Sequence, residues 1–462
     1  MKRTIALLIV LVMCFSLVAC TATETPASAG ETTAQVAAPA AARANAEAIT
    51  IAIGGEPTSL DHQFAADDGM MRAITWNIYE PLVQLNGQTL EPECVLAESY
   101  TQIDDLTMEF KIREGVTFHD GDTLDAYDVE YSINRCLDPE LNSQILSNIE
   151  TFDHAEAVDA NTVRIITKNP DPILITRVTL VPIFSKEFTE TKSATDMTIV
   201  ANGTGPYSFV EWKAGDRITL KAFEGYWGGA PAIKDVTFRF IEEPLTMLSA
   251  LQAGEIDLCT NMLPEYLEDI PQVISQVSNE CFWIRFNQNG SSIFSSKEAR
   301  LAAAYAVDNA AIADALFQGF ATPCDGQMCR PGYTGYTESI KDYGYDLDKA
   351  KELLAQSGYN GEELQLVYEQ GRWLKDGEVA QTVAAQLQEA GFNVSLQLLS
   401  WSEWLNMLFD KERVPDLFFS SNGNDFFDAD RPLSTCASSA PKGLRVSLIS
   451  SAMIKPPVVC SE

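Results

Sequence analysis

Thirteen consecutive residues, Phe118–Glu130 (FHDGDTLDAYDVE), hold one histidine and five carboxylates. That density admits a metal centre, a general acid–base pair, or a purely structural role. A calcium loop starting at Asp120 fails on its spacing, because Leu124 and Asp125 stand where an oxygen ligand and a glycine are needed. Zinc needs more ligands at short spacing, and the only histidines are His62, His119 and His154. A structural role fits better. Ala126, Val129, Ile133 and Cys136 recur at helical spacing. Asp125 is then the N-cap of that helix and Asp128 its N3 residue, where acids suit the exposed N–H groups. The HDGD segment before it reads as a glycine turn closing a strand. A secreted hydrolase using the carboxylates of Asp120–Asp128 is the competing reading.

No other enzyme signature is present: the chain lacks G-x-S-x-G, H-E-x-x-H and G-x-x-x-x-G-K-[ST]. GTGPY (Gly203–Tyr207) is glycine-rich but lacks the lysine of a phosphate loop. No catalytic residue, metal or cofactor is expected. Ten cysteines occur. Among them Cys324 and Cys329, C-x4-C in a Gly/Pro-containing loop, are the pair that spacing favours for a disulfide.

These residues sit in a chain of 462, long enough for two or three domains. It is 46% hydrophobic and 21% charged, the composition of a globular protein. Its net charge is −33. Such a surface repels phosphate backbones and anionic headgroups, which argues against nucleic-acid partners and electrostatic membrane docking. The first twenty residues, MKRTIALLIVLVMCFSLVAC, combine a basic start with an apolar run and no acid, a secretory signal. They end in LVAC, which resembles the bacterial lipobox, so Cys20 is the expected lipidation site. Residues 21–48 are rich in Ala, Thr, Pro and Glu and read as a flexible tether. The expected location is extracytoplasmic, anchored to the membrane through Cys20.

Beyond the tether, ITIAIGG (Ile49–Gly55), TMEFKIREGVTF (Thr107–Phe118), NTVRIITK (Asn161–Lys168) and DRITLKAF (Asp216–Phe223) alternate as strands. Later segments mix periods. Ser296–Gly319, Leu347–Tyr359 and Gly377–Gly391 read as helices, with strands at Glu363–Glu369 and Asn393–Ser400. Strand–helix–strand alternation predicts a parallel sheet with crossover helices and ligands at the carboxyl ends of its strands.

FKIREGVTFHDGDTLDAYDVEYSINR (Phe110–Arg135) resembles the signature of the family 5 extracellular solute-binding proteins of ABC transporters, the peptide/nickel type. EPTSLDHQ (Glu56–Gln63), IYEPLV (Ile78–Val83), GTGPYSF (Gly203–Phe209), EGYWGGAPAI (Glu224–Ile233) and ALQAGEIDL (Ala250–Leu258) fit it in the same order. One departure is His62, where relatives usually carry proline. The likeness runs from Ile49 to Leu433.

The resemblance implies an α/β, two-lobed type II periplasmic-binding-protein fold with an extra β-rich subdomain in lobe I. Lobe I then spans residues 49–79 and 201–259, the extra subdomain 80–200, and lobe II 260–434. It implies a monomeric receptor, not an enzyme. A small solute, peptide-like or oligopeptide, is captured between the lobes and passed to an ABC permease and its ATPases. An oligosaccharide ligand is the alternative, and three histidines are few for nickel.

Peptide-binding relatives fix the ligand amine with an aspartate on a lobe II loop resembling Ser420–Asp430. That position falls on Asn424, with Asp425 beside it and Asn422 in the same loop. Arg372 lies where relatives place a cation for a ligand carboxylate, and Phe64 stands where it could line the cleft floor. The structural alternatives for these two are an exposed loop arginine and plain packing. Trp401 and Trp404 read as core by their spacing. Residues 435–462 carry three basic residues and one acid in an otherwise acidic chain and follow no family pattern. The expectation is a shifted reading frame that leaves lobe I short of a strand.

Overall fold

The computed structural model describes residues 47–64, 69–288, 291–324, 326–369, 372–400, 403–404, 406–407, 414–429, 449–450, 453–454 and 458–460. Three sheets of four or more strands, with two two-stranded ones, organise them.

The lobe I sheet has seven strands, in the spatial order Gln272–Ile274, Val458–Cys460, Leu258–Cys259, Ala48–Ile53, Asp235–Phe240, Arg217–Ala222 and Tyr207–Lys213. Ala48–Ile53 runs parallel to both Asp235–Phe240 and Leu258–Cys259. Its side chains alternate between two faces. Ile53 packs with Leu60, Ile74, Ile218 and Phe238, while Ala52 packs on the opposite side with Leu248, Leu251 and Ile256. The sheet is therefore covered on both faces. Two of its strands differ from expectation. Gln272–Ile274 pairs in this sheet, so the chain leaves lobe I after Ile274 and not at residue 260. Val458–Cys460 fills the place between Leu258–Cys259 and Gln272–Ile274, so the expected missing strand is present.

The extra subdomain is a four-stranded antiparallel sheet ordered Ala97–Gln102, Thr107–Ile112, Thr162–Thr167, Phe152–Asp159. Met108, Phe110 and Ile112 point into its core with Val163 and Ile165. Helix Ala126–Leu137 lies over that core through Ala126, Val129, Ile133 and Cys136, the apolar series read from the sequence. Asp125 caps it: its Oδ1 accepts from Tyr127 N at 2.8 Å and Asp128 N at 3.3 Å. Asp128 Oδ2 accepts in return from Asp125 N at 3.0 Å, completing a capping box.

The lobe II sheet orders Asn393–Leu399, Glu363–Glu369, Leu417–Gly423, Glu280–Phe286 and Ile449–Ser450. Glu363–Glu369 is parallel to Asn393–Leu399 and to Leu417–Gly423, with helix Asp376–Ala390 as the crossover. The long helix expected over Ser296–Gly319 is two helices, Lys297–Ala306 and Asn309–Phe317. Val307 is extended, and Asp308 caps the second helix by accepting from Ala311 N at 2.9 Å. A side chain able to cap ends one helix and starts the next, which apolar periodicity alone does not reveal.

Candidate functional site

The acid-rich stretch that first suggested chemistry is a joint. His119 sits between the extra subdomain and lobe I, with both ring nitrogens in use. Nδ1 accepts from Gly203 N at 3.3 Å and Nε2 donates to the Gly205 carbonyl at 2.9 Å. Burial lowers its pKa, and the ring stands edge-on to Phe223 at 4.9 Å. Asp120 accepts from Asn202 Nδ2 at 2.7 Å and Asp122 N at 3.2 Å. Asp128 Oδ1 accepts from Lys186 N at 2.8 Å, and burial pushes its pKa up to about 6. These groups are engaged with backbone N–H and carbonyl groups and with the Asn202 amide.

The other signature segments meet at the same seam. Glu80, 6% exposed, accepts from Thr204 Oγ1 at 2.8 Å, Tyr226 OH at 2.8 Å and Trp227 Nε1 at 3.0 Å. The Arg113 guanidinium lies 4.4 Å over the Trp227 ring. A Cβ on Gly203 would come within 2.1 Å of the Ile78 carbonyl oxygen, so only glycine allows that approach. IYEPLV, GTGPY and EGYW are thus three sides of one fastening between lobe I and its subdomain.

The gap between the lobes has different residues. Strands Glu363–Glu369 and Leu417–Gly423 are parallel, and their carboxyl ends bring Glu369 and the loop Asn424–Asp428 to one edge. Glu280, paired with Gly423, lies at the same edge. Asp425 points towards lobe I: its Oδ1 takes a hydrogen bond from Asn279 Nδ2 at 3.0 Å, and its Oδ2 lies 3.7 Å from Arg72 of helix Gly69–Thr75. Phe426 reaches the extra subdomain, where the Arg177 guanidinium lies 4.5 Å over its ring. Arg177 is itself held by Asp171 at 2.8 Å and the Asn148 carbonyl at 2.7 Å.

Asn424 has a different place from the one the resemblance implied. It is 2% exposed, and its amide bonds back to Asp428, donating to the carbonyl at 2.6 Å and accepting from the N–H at 3.4 Å. It shapes the loop and leaves Asp425 as the charge facing the gap. Asn422 lies opposite Cys281 in the strand pairing. Arg372 is at the edge, its guanidinium 3.4 Å from Glu280 Oε1, which also accepts from Trp373 Nε1 at 3.1 Å. Phe64 is 43% exposed, on a loop braced by the buried Asp61–Arg135 ion pair at 2.6 Å. Trp404 is core, donating to the Phe419 carbonyl at 3.1 Å. Cys20 and Trp401 lie outside the described residues.

The sequence reading missed Arg72, Asn279, Glu280 and Glu369. Glu369 is 5% exposed, and burial raises its pKa to about 7, with the Asp376 carboxylate adding to the rise. Being the last residue of a predicted parallel strand was its one available signal. The disulfide expected between Cys324 and Cys329 is not formed. The sulfur beside Cys324 is Cys281 Sγ, 3.7 Å away on strand Glu280–Phe286.

Residues 91–443 match the family described as bacterial extracellular solute-binding proteins, family 5 Middle. The chain belongs to that family. Among relatives, the glutathione-binding protein GsiB of Escherichia coli (strain K12) is 30% identical over 322 residues, covering 68% of this chain and 62% of its own length. The chain thus spans about three-fifths of the curated relatives it matches. The substrate-binding protein CtaP of Listeria monocytogenes has the same two-lobed fold at a TM-score of 0.79 and 24% identity, covering 90% of this chain and 94% of its own. The binding protein AgaA from A. tumefaciens R10, solved with agropinic acid, has a TM-score of 0.71 and 27% identity, covering 84% and 79%. The family is one of transport receptors, not enzymes.

Proposed function

We propose that this family 5 protein captures a small organic solute bearing an amine, peptide-like in character, between its lobes and delivers it to an ABC permease. The observation that carries the reading is the Asp425 carboxylate, presented by lobe II across the gap to Arg72 of lobe I. An ammonium on the solute takes the place of Arg72 at Asp425, and a solute carboxylate is received by Arg72 or Arg372. A ligand touching both lobes binds their approached arrangement more tightly and so favours it. GsiB is named for glutathione and AgaA was solved with agropinic acid, which makes both compounds probes of choice. Lipidation of Cys20 holds the receptor, as a monomer, on the outer side of the membrane.

The test is calorimetry and thermal shift of the protein with glutathione, agropinic acid, short peptides and oligosaccharides. An amine-bearing solute is expected to bind, and Asp425→Asn to weaken it about thirtyfold or more, the penalty for removing one partner of a hydrogen-bonded charge pair. Oligosaccharide binding indifferent to Asp425→Asn would replace the peptide-like reading. Binding by none of these classes would overturn the proposal.

A further inference from the structure

The two sulfurs on the lobe II side of the gap stand in a defined relation. Cys281 lies on the interior strand Glu280–Phe286, and Cys324 lies in the loop that follows the short strand Ala321–Thr322. They are 2% and 8% exposed and share a small apolar cluster with Trp283 and Met328. Cys324 Sγ donates to Cys281 Sγ at 3.7 Å, and Cys281 in turn is 3.5 Å from the Met328 carbonyl. The sulfurs are thus in contact although 43 residues apart in sequence.

We propose that Cys281 and Cys324 form an oxidation-closable pair whose disulfide ties the loop after Thr322 to an interior strand of the lobe II sheet, with Cys329 remaining a thiol. Two further observations support this assignment. The hydrogen bond from Cys324, helped by the positive charge of Arg330, holds the Cys281 thiol below its ordinary pKa. Burial, the Asp428 carboxylate and Cys281 push Cys329 up to about 11. The thiolate is the reacting form, so the two cysteines differ in readiness as well as in place.

The oxidant is a small hydroperoxide, able to enter where a bulky disulfide is excluded. The Cys281 thiolate attacks one peroxide oxygen, the O–O bond breaks, and hydroxide leaves, giving a sulfenic acid. Cys324 sulfur then attacks the Cys281 sulfur. The S–S bond forms, and the sulfenic oxygen departs as water with the proton from Cys324. With hydrogen peroxide, two thiols and one peroxide give one disulfide and two waters.

The cross-link would act on the candidate site through packing. The tied loop continues to Tyr333 and Thr334. Thr334 N donates to the Phe427 carbonyl at 3.1 Å, and the Tyr333 ring meets Phe427 edge-on at 5.2 Å. Phe427 belongs to the same turn as Asp425. Closing a covalent loop here restricts the support on which that carboxylate stands.

The test is peptide mapping of the full chain after dilute hydrogen peroxide or dithiothreitol, with iodoacetamide blocking the remaining thiols. Peroxide is expected to give a peptide pair joined through Cys281 and Cys324, lighter by about 2 Da than its dithiol form, with Cys329 alkylated. Dithiothreitol reverses it. Cys329→Ser keeps the cross-link and Cys281→Ser abolishes it. In Cys324→Ser the Cys281 sulfenic acid loses its partner and is trapped by dimedone. Should a variant fail to fold, mapping of the unaltered chain decides alone. A Cys324–Cys329 cross-link overturns the proposal, as does full alkylation of Cys281 and Cys324 after peroxide.

Discussion

At the scale of single residues, buried polar groups divide into those that fasten the fold and those that face the gap. Gly203 is a fastener. Its missing side chain lets the chain press on the Ile78 carbonyl, where a Cβ would come within 2.1 Å. Gly203→Ala is expected to destabilise by about 3 kcal/mol or more, read by chemical denaturation; a loss below the scatter of surface variants would show that the seam yields. Glu369 is buried at the carboxyl end of its strand. Its folded pKa of about 7 lies above the ordinary 4.5, because burial disfavours the charge. The folded state therefore holds its proton more tightly than the unfolded chain. The stability contributed by this group is whole below pH 4.5 and is lost as pH rises through about 7. Glu369→Gln, which keeps the neutral shape, is expected to stabilise the protein at pH 8 by about 2–3 kcal/mol and leave it unchanged at pH 4. Thermal unfolding at the two pH values decides this; equal melting curves at pH 8 would remove the burial argument.

At the scale of elements, the sequence was most readable where one face of a segment is buried. Helix Ala126–Leu137 and the strands Thr107–Ile112 and Glu363–Glu369 follow their apolar periods. Helix ends are set by different groups. Asp125 and Asp308 each accept from an N–H that the first turn leaves unpaired. Asp308→Ala is expected to cost about 1 kcal/mol and to loosen the break between Lys297–Ala306 and Asn309–Phe317. Amide exchange would find the loss at the start of the second helix. Faster exchange spread evenly through lobe II would instead assign Asp308 a role in packing.

At the scale of the whole molecule, three polar contacts among the described residues join the lobes. The first is Arg72 with Asp425, another is Arg177 over Phe426, and the third is Lys375 with Glu265 at 2.9 Å. The first is partly exposed and separated by 3.7 Å, so it is worth only about 0.5 kcal/mol. Phe426→Ala is expected to enlarge the radius of gyration of the protein measured alone, and a bound solute to restore it. Identical scattering curves for the parent and Phe426→Ala would show that this ring does not hold the lobes together.

The sequence by itself determined the fold class and the family, because the residues that carry them act locally or through one seam of contacts. Apolar periods write strands and helices directly. The HDGD, GTGPY and EGYW segments are long and ordered because they build one seam between lobe I and its subdomain. The sequence did not distinguish Glu369 among 65 acidic residues, since chain composition says nothing of burial or facing. Only the tertiary structure turned Asn424 inward and left Asp425 toward Arg72. It also set Cys324 beside Cys281 in place of Cys329. Such pairings depend on where distant strands bring their ends, and a sheet sets that by register across segments the chain itself keeps far apart.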